Sequence, residues 1–405
     1  MREYPIIMLK GRELSSFRKK LLGWFREYQR DLPWRRTKDP YRIWLSEIML
    51  QQTRVAAVIP YYQRFLERFP DVAALAAAPR EEVLRLWSGL GYYRRARNLQ
   101  RAAQEIVARH GRSFPRTHKD VLALSGIGPY TAAAILSIAF EAEHAVLDGN
   151  VARVLARLFA IRGDLREARR WQLLQRCADE LLDVKSPGDW NQAVMELGAG
   201  VCTPRSPQCL LCPVSQSCRA RKLGIVESLP AGHKRQATVD VTLAAAVLLD
   251  PRGRCLLLRP SRLAPKTAAH DHVPTLLSKM WHFPTFAVQQ DASAEVSKFL
   301  KRVIAKPKYQ PFTLEPLPKV RHSVTYRKIT VLPFRVRIPK LPCIAGCKIV
   351  SLSELPSPSS VAISNLTRKV ACAALAHGES PASDTNPTPG ARVLFANNQS
   401  PQPAP

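Results

Sequence analysis

The clearest chemistry in this chain belongs to four cysteines in the middle of the sequence. Cys202, Cys209, Cys212 and Cys218 follow the spacing C-x6-C-x2-C-x5-C. A loop this short cannot bury a hydrophobic core, so four converging thiolates need a metal centre. Tetrahedral zinc and a cubane iron–sulfur cluster both accept four thiolates. The spacing therefore predicts a metal site; from ligand type alone, zinc, an iron–sulfur cluster and unpaired structural thiols stay open.

Two acidic residues stand in settings that suit acid–base chemistry. Glu47 has apolar neighbours on both sides in a helix predicted from Tyr41 to Ile59. Burial there would raise its carboxyl pKa toward neutrality. Asp148 precedes a second predicted helix, with backbone N–H groups and the Asn150 amide nearby, and is expected to stay ionised. A neutral acid and a carboxylate together can break a glycosidic bond. The alternative for Asp148 is a simple helix N-cap.

A glycine-rich turn lies between these two acids. Gly126 and Gly128 permit a tight turn with exposed amides, and Pro129 suits the first turn of the helix that follows. A turn that leads into a helix N-terminus is an anion site, suited to a DNA phosphate. An ordinary helix–helix connection is the alternative for such a turn considered alone.

The charge of the chain points to a polyanionic partner. The formal net charge is +29 and the pI about 10.3. Residues 1–226 contain 37 basic against 22 acidic side chains, and residues 227–405 contain 24 against 10. Both halves are thus expected to contact a nucleic acid, with salt-dependent affinity.

Cysteine usage and hydropathy indicate the compartment. Nine cysteines, an odd number with four clustered, favour a reducing environment. No apolar run reaches the ~18 residues that span a membrane, and the N-terminus has no apolar core of signal-peptide length. We expect no membrane association and a bacterial cytoplasmic location, on DNA.

The apolar spacing divides the chain into a helical part and a smaller α+β part. Helices are predicted over 41–69, 94–110, 129–140, 150–160 and 168–183, and strands over 239–249, 255–258 and 323–337, with a helix over 292–304. The predicted domains are a helical domain (1–226) with the cysteine loop (202–218), a linker (227–238), an α+β domain (239–368) and a disordered tail (369–405).

Several motifs, in order along residues 14–225, closely resemble those of MutY-type adenine DNA glycosylases, members of the endonuclease III-like helix–hairpin–helix superfamily. They are Leu32-Pro-Trp-Arg35, Trp44-Leu-Ser-Glu-Ile-Met-Leu-Gln-Gln-Thr53, Gly89-Leu-Gly-Tyr-Tyr93, the glycine turn, Leu147-Asp-Gly-Asn-Val151 and Asn191-Gln-Ala-Val-Met-Glu-Leu-Gly198. The resemblance implies an all-α helix–hairpin–helix glycosylase fold, and it implies that the four cysteines hold a [4Fe–4S] cluster.

The resemblance also implies the substrate and the roles of individual residues. The family removes adenine mispaired with 8-oxoguanine, after the base is flipped out of the duplex. Glu47 would protonate adenine, Asp148 would stabilise the sugar cation, and Tyr130 and Asn150 would support them. The other implied roles are pocket residues (Trp34, Arg35, Gln192), wedges inserted into the base stack (Gln52, Tyr92) and neighbours of the damaged guanine (Thr53, Leu90).

Tyr130 discriminates within the superfamily. Bifunctional relatives carry a lysine at this place, which forms a Schiff base with the sugar, whereas a tyrosine cannot form an imine. We therefore expect a monofunctional enzyme that leaves an abasic site without cutting the strand.

The second part resembles the Nudix-like C-terminal domain of the same family. Met280-Trp-His-Phe-Pro-Thr285 is similar to a strand of that fold, but residues 286–305 lack the carboxylates of a working Nudix helix. The family reads 8-oxoguanine through a Phe-Ser-His loop, in whose place this chain has Val324, Thr325 and Tyr326. We expect Thr325 and Tyr326 to contact the lesion; the alternative is a strand pair without a ligand role.

The expected partner is double-stranded DNA with an A:8-oxoguanine or A:G mispair, bound by a monomer. Two alternatives remain: a related helix–hairpin–helix glycosylase of different base preference, and a non-catalytic iron–sulfur DNA-binding protein. The second should lack one carboxylate of the pair, and this sequence has both.

Overall fold

A computed structural model describes residues 8–231, 237–259, 280–288, 290–304, 313–324, 326–343, 346–356 and 361–376. Thr325 and the end of the predicted tail, residues 377–405, lie outside the described residues. Within the described ranges, none of the helices combines the length and the apolar character needed to cross a membrane.

Residues 11–222 are helical, as predicted from the apolar spacing. The helices, in chain order α1 to α12, are Gly11–Tyr28, Pro40–Leu50, Val55–Arg68, Val72–Ala77, Arg80–Leu86, Arg94–Arg109, His118–Ala123, Pro129–Phe140, Gly149–Leu158, Ala168–Leu181, Pro187–Glu196 and Arg219–Lys222.

The centre of this part is α8, whose residues 131–138 are all buried. Its run of alanines lets α2 and α11 pack closely against it on different sides. Pro129 at the first turn of α8 occupies a place where no backbone N–H is needed. The helix that carries Glu47 is therefore fixed against the helix that begins with the glycine turn.

The predicted continuous helix over residues 41–59 is wrong in one respect. Helix α2 ends at Leu50, and α3 begins at Val55. Gln52 between them has a left-handed backbone, with φ of 56°. The break creates an exposed loop directly after the turn that holds Glu47.

Residues 239–351 build a seven-stranded sheet. Strands β1 to β7 are Val239–Leu249, Arg254–Leu258, Thr285–Ala287, Glu315–Pro316, Val320–Val324, Arg327–Arg337 and Cys347–Ser351. The order is β4-β6-β1-β2-β7, with β3 paired to β1 and β5 paired to β6. The long strands β1 and β6 are parallel along their whole length. The strand predicted at 323–337 is in fact most of a hairpin, because β5 and β6 are antiparallel.

Strand β1 shows how the sheet buries both faces. Leu243, Ala245 and Val247 face one apolar cluster, and Ala244 and Ala246 face the other. Side chains alternate along a strand, so one apolar strand can serve two cores. Helix α13 (Ala292–Val303) covers one face and helix α14 (Asn365–Ala376) the other. The α+β prediction is confirmed.

The last helix also changes a boundary. Helix α14 continues to Ala376 and buries Val370, Ala371 and Ala374. The first residues of the stretch predicted as a disordered tail, from 369 to 376, therefore complete the core of the sheet domain.

Candidate functional site

Glu47 lies on α2 and is buried within the helical part, with 7% of its surface exposed. The Tyr130 hydroxyl donates a hydrogen bond of 2.9 Å to Glu47 Oε2. Burial raises the pKa of Glu47 to about 7, the Tyr130 hydrogen bond opposes this rise, and the charge of Asp148 adds to it. Glu47 can therefore hold a proton near neutral pH.

Asp148 is the N-cap of α9, in agreement with the simpler interpretation of its motif. Its Oδ1 accepts a hydrogen bond of 2.7 Å from the backbone N–H of Val151, and its Oδ2 accepts one of 3.2 Å from the Asn150 amide. Both donors stabilise a negative charge. The structure thus pairs Tyr130 with Glu47 and Asn150 with Asp148, and the charge of the Asp148 carboxylate acts on Glu47.

Trp34 and Arg35 lie on a short 3-10 turn, Pro33–Arg35, and the charge of Arg35 acts on Glu47. Arg35 Nη2 donates a hydrogen bond of 2.6 Å to Glu196 Oε2, and the Trp34 ring packs edge-on against Tyr62 at 5.4 Å. Glu196 also takes two hydrogen bonds from Arg30, of 2.6 and 2.8 Å.

Glu196 was not identified from the sequence. Burial disfavours its charge, but the hydrogen bonds from Arg30 and Arg35 outweigh burial and lower the pKa of Glu196. Gln192, one helical turn earlier, makes only a long hydrogen bond of 3.3 Å to the Gly188 carbonyl.

Gln52 and Tyr92 lie in two neighbouring loops, Gln52 between α2 and α3 and Tyr92 between α5 and α6. Both have left-handed backbones, with φ of 56° and 47°, and both are exposed, Tyr92 by 43%. Non-glycine residues adopt this conformation only when the surroundings hold them there. Thr53 lies at the base of the first loop, and Leu90 is buried at the base of the second.

Arg95 joins these loops and was also missed from the sequence. Its Nη1 donates to the carbonyls of Ile48, Met49 and Gln51 at 2.7 to 2.8 Å. Its Nη2 donates to Thr53 Oγ1 at 3.1 Å, and to the carbonyls of residues 90 and 91 at 3.3 Å. Burial lowers the pKa of Arg95 to about 10, which leaves it charged.

The glycine turn requires only one of its two glycines. Gly126 has φ of +82°, and a Cβ there would lie 2.6 Å from Asn98 Cβ. Gly128 has φ of −103°, is the N-cap of α8, and would accept a Cβ without contact. The structure places both at the start of α8, where free N–H groups favour an anion.

The four cysteines surround one small cavity of about 30 Å³. Four soft thiols around one shared space are a ligand set that fits a [4Fe–4S] cluster.

Arg157 is a buried residue that holds the cysteine loop through hydrogen bonds. It is 1% exposed, and its Nη1 donates to Cys202 Sγ at 3.3 Å and to the Thr203 carbonyl at 2.7 Å. Its Nε donates at 2.8 Å to the carbonyl of Leu229, in the predicted linker. A cationic donor at a ligand sulfur offsets the negative charge of the thiolates.

A cavity of about 940 Å³ lies between the helical part and the sheet domain. Gln52, Tyr92 and Gly126 line it from one side, and Ser323 and Val324 line it from the other. Tyr326 is not among the lining residues; its ring packs under the Arg327 guanidinium at 5.1 Å. The structure therefore places Ser323 and Val324, rather than Tyr326, on the cavity that Gln52 and Tyr92 also line.

Arginines border this cavity. Burial lowers the pKa of Arg97, and the nearby charges of Arg80, Arg94 and Arg259 lower it further. Arg259 belongs to the sheet domain and the other three to the helical part. A group of like charges that crosses both parts favours a polyanion at this place.

Comparison with known families assigns the helical part. Residues 45–179 match the HhH-GPD superfamily of base excision DNA repair proteins, and residues 202–218 match the iron-sulfur binding domain of endonuclease III. Both matches lie within the helical part. The predicted [4Fe–4S] cofactor is confirmed, and Cys202, Cys209, Cys212 and Cys218 are the residues that would hold it.

More particularly, the chain is similar to adenine DNA glycosylases. The human adenine DNA glycosylase is 45% identical over 257 residues, which cover 61% of this chain and 46% of the human one. That of Buchnera aphidicola subsp. Baizongia pistaciae is 28% identical over 355 residues, 87% of this chain and 95% of its own. A MutT protein from Methanosarcina mazei Go1 aligns with a TM-score of 0.26 and 14% identity over 36% of this chain and 99% of its own. The matched region spans less than half of the human relative.

Proposed function

We propose that this protein is a base-excision-repair glycosylase that hydrolyses the N-glycosidic bond of adenine paired with 8-oxoguanine or guanine. The observation that carries the proposal is the buried Glu47, hydrogen-bonded by Tyr130 and placed near Asp148. The named activity of the relatives supports the same assignment.

In this mechanism a flipped adenine enters the pocket beside Glu47. Neutral Glu47 donates its proton to the adenine ring, so that the base leaves as a neutral group. The Asp148 carboxylate, held by Val151 and Asn150, stabilises the positive charge that develops on the sugar. Glu47, now ionised, then accepts a proton from the attacking water.

The remaining residues position the substrate. Arg35 and Trp34 form the pocket wall, with Glu196 fixing the guanidinium. Gln52 and Tyr92 fill the space that the flipped base leaves, while the N–H groups at Gly126 and Gly128 bind a backbone phosphate. When bound, the cluster cross-links the loop that contains the cysteines.

Tyr130 makes the proposed reaction monofunctional. Its hydroxyl donates to Glu47 and offers no amine to the sugar, so no Schiff base forms and the strand stays intact. The same proposal describes a monomer that acts on duplex DNA in the bacterial cytoplasm.

The test is single-turnover excision on duplexes that differ only in the base opposite adenine. We expect adenine release opposite 8-oxoguanine and guanine, and strand breaks only after alkali. Cleavage without alkali would contradict the monofunctional mechanism, and release of a different base would contradict the substrate.

Val324 gives a specific reason for a second candidate, a glycosylase of altered opposite-base preference. It lines the cavity between the two parts where the family carries an aromatic side chain. In the same assay this candidate predicts equal excision of adenine opposite 8-oxoguanine and opposite guanine.

A further inference from the structure

The loop that carries Tyr92 has an unusual backbone. Gly89 and Gly91 have φ of +113° and +71°, and Tyr92 follows with φ of 47°. Glycine adopts positive φ without strain, but the left-handed backbone at Tyr92 is strained unless the surroundings hold it. What holds this loop therefore decides where the Tyr92 side chain points.

The helical part supplies some of the contacts. Arg95 Nη2 donates to the carbonyls of Leu90 and Gly91 at 3.3 Å, and Trp87 Nε1 donates to the Gly91 carbonyl at 3.2 Å. These three hydrogen bonds are long and reach the second half of the loop. In the first half, the Tyr61 hydroxyl donates to the Ser88 carbonyl at 2.9 Å.

The sheet domain also binds the first half of the loop, and it holds the Gly89 carbonyl. Asn365 Nδ2, at the first turn of α14, donates to the Gly89 carbonyl at 2.9 Å. Ser88 Oγ donates to the carbonyl of Ile363 at 2.8 Å, and Arg368 Nη2 donates to Ser88 Oγ at 3.2 Å. The first half of the loop is thus bound to residues more than 270 positions away in the sequence.

The apolar packing agrees with a fixed junction at this place. Met280 and Ala362 of the sheet domain are buried in the same apolar cluster as the helical core. The Tyr93 hydroxyl, next to the loop, donates to the Ile363 carbonyl at 3.0 Å. The segment 362–368 is therefore part of the support of the Tyr92 loop.

We propose that Asn365 is a positioning residue for base flipping, which acts through the Gly89 carbonyl on the wedge Tyr92. The inference rests on the proposed function and deepens it. The sheet domain fixes the position of Tyr92, and this role is separate from any contact that the sheet domain makes with the opposite base.

The experiment uses the full chain with its cluster and the variant Asn365→Asp, which keeps the shape of the side chain and removes its N–H donor. The probe is a duplex with 2-aminopurine opposite 8-oxoguanine, whose fluorescence rises when the base unstacks. We expect unstacking to slow by about fivefold, the effect of one hydrogen bond, with duplex affinity nearly unchanged. The exposed Cys372→Ala on the same helix is the matched control and should behave as the parent chain.

A double-mutant cycle separates positioning from general damage. If Asn365 acts through the wedge, Asn365→Asp should have no further effect in a Tyr92→Ala background. Additive effects of the two changes, or unstacking by Asn365→Asp at the parental rate, would overturn the proposal. Asn365→Ala repeats the test if the aspartate variant does not fold. Because fluorescence reports unstacking and not cleavage, failure of adenine excision in the parent chain would reject the proposed function separately.

Discussion

At the scale of single residues, the site depends on one buried carboxyl group. Glu47→Gln keeps the size of the side chain but cannot donate a proton to the leaving base. We expect the variant to bind an A:8-oxoguanine duplex and to lose adenine release by about a hundredfold or more, the usual contribution of a general acid. Single-turnover assays with Glu143→Gln, an exposed glutamate, as control measure this loss. Activity within about tenfold of the parent, or ~1.4 kcal/mol of barrier, would remove Glu47 from the mechanism.

The pH profile tests the environment of the same group. Because the pKa of Glu47 is raised to about 7, its neutral form is present below that pH and is lost as pH rises through it. Excision should therefore fall on the alkaline side of pH 7. The Tyr130 hydrogen bond favours the ionised carboxylate, so Tyr130→Phe should raise the pKa and move the alkaline limb to higher pH. If the alkaline limb of the Tyr130→Phe profile stays in place or moves to lower pH, the assignment of this limb to Glu47 is contradicted.

Sequence patterns predicted the proposed catalytic pair, Glu47 and Asp148, but not the residues that support it. Glu47 and Asp148 stand in motifs whose neighbours already show their settings. Arg95 lies between Arg94 and Arg97, in a basic stretch that looks like an ordinary solvated helix face. Its role depends on carbonyls from two loops, which only the tertiary structure brings together. The burial of Glu196 likewise depends on Arg30, more than 160 residues away.

At the scale of elements, the glycine turn offers a matched pair of substitutions. Gly126→Ala places a Cβ against Asn98 in a left-handed backbone, whereas Gly128→Ala meets nothing. We expect Gly126→Ala to cost roughly 1–3 kcal/mol of folding free energy and Gly128→Ala much less. Apparent melting temperatures of the anaerobically purified variants check this. Equal melting temperatures for the two variants would mean that the turn is not constrained as described.

The cysteine loop gives a second prediction at this scale. If the four thiolates hold a [4Fe–4S] cluster, the protein should be brown, absorb broadly in the visible range and contain about four irons per chain. Iron analysis and absorption spectra after anaerobic purification measure this. Stoichiometric zinc without iron would overturn the cofactor assignment.

Where elements were predicted wrongly, tertiary contacts explain the difference. Residues 51–54 contain neither glycine nor proline, yet the helix ends there because Arg95 takes up the carbonyls at its C-terminus. The turn between β5 and β6 likewise lacks the residues that usually mark a hairpin. By contrast α8 and β1, whose burial follows from their own sequences, were predicted almost to the residue.

At the scale of the whole molecule, the two parts form one surface around the cavity that both line. The helical part contributes Gln52, Tyr92 and the glycine turn, and the sheet domain contributes β5 and the start of α14. Charge crosses the same boundary, since Arg259 joins Arg97 and its neighbours. We infer that general affinity and recognition of the opposite base have separate structural origins in this molecule.

Two full-length variants test that separation. Arg97→Gln with Arg259→Gln removes two charges from the group of arginines around Arg97. The slope of log affinity against log salt should then fall by about 2, near 0.9 per phosphate contact. Its preference for A:8-oxoguanine over A:G should stay close to that of the parent. Ser323→Ala with Val324→Ala removes no charge but alters the end of β5 that lines the cavity. This variant should show a smaller preference for A:8-oxoguanine over A:G, and the slope of its log affinity against log salt should equal that of the parent chain. If instead both variants shift the slope and the preference together, affinity and recognition share the same contacts.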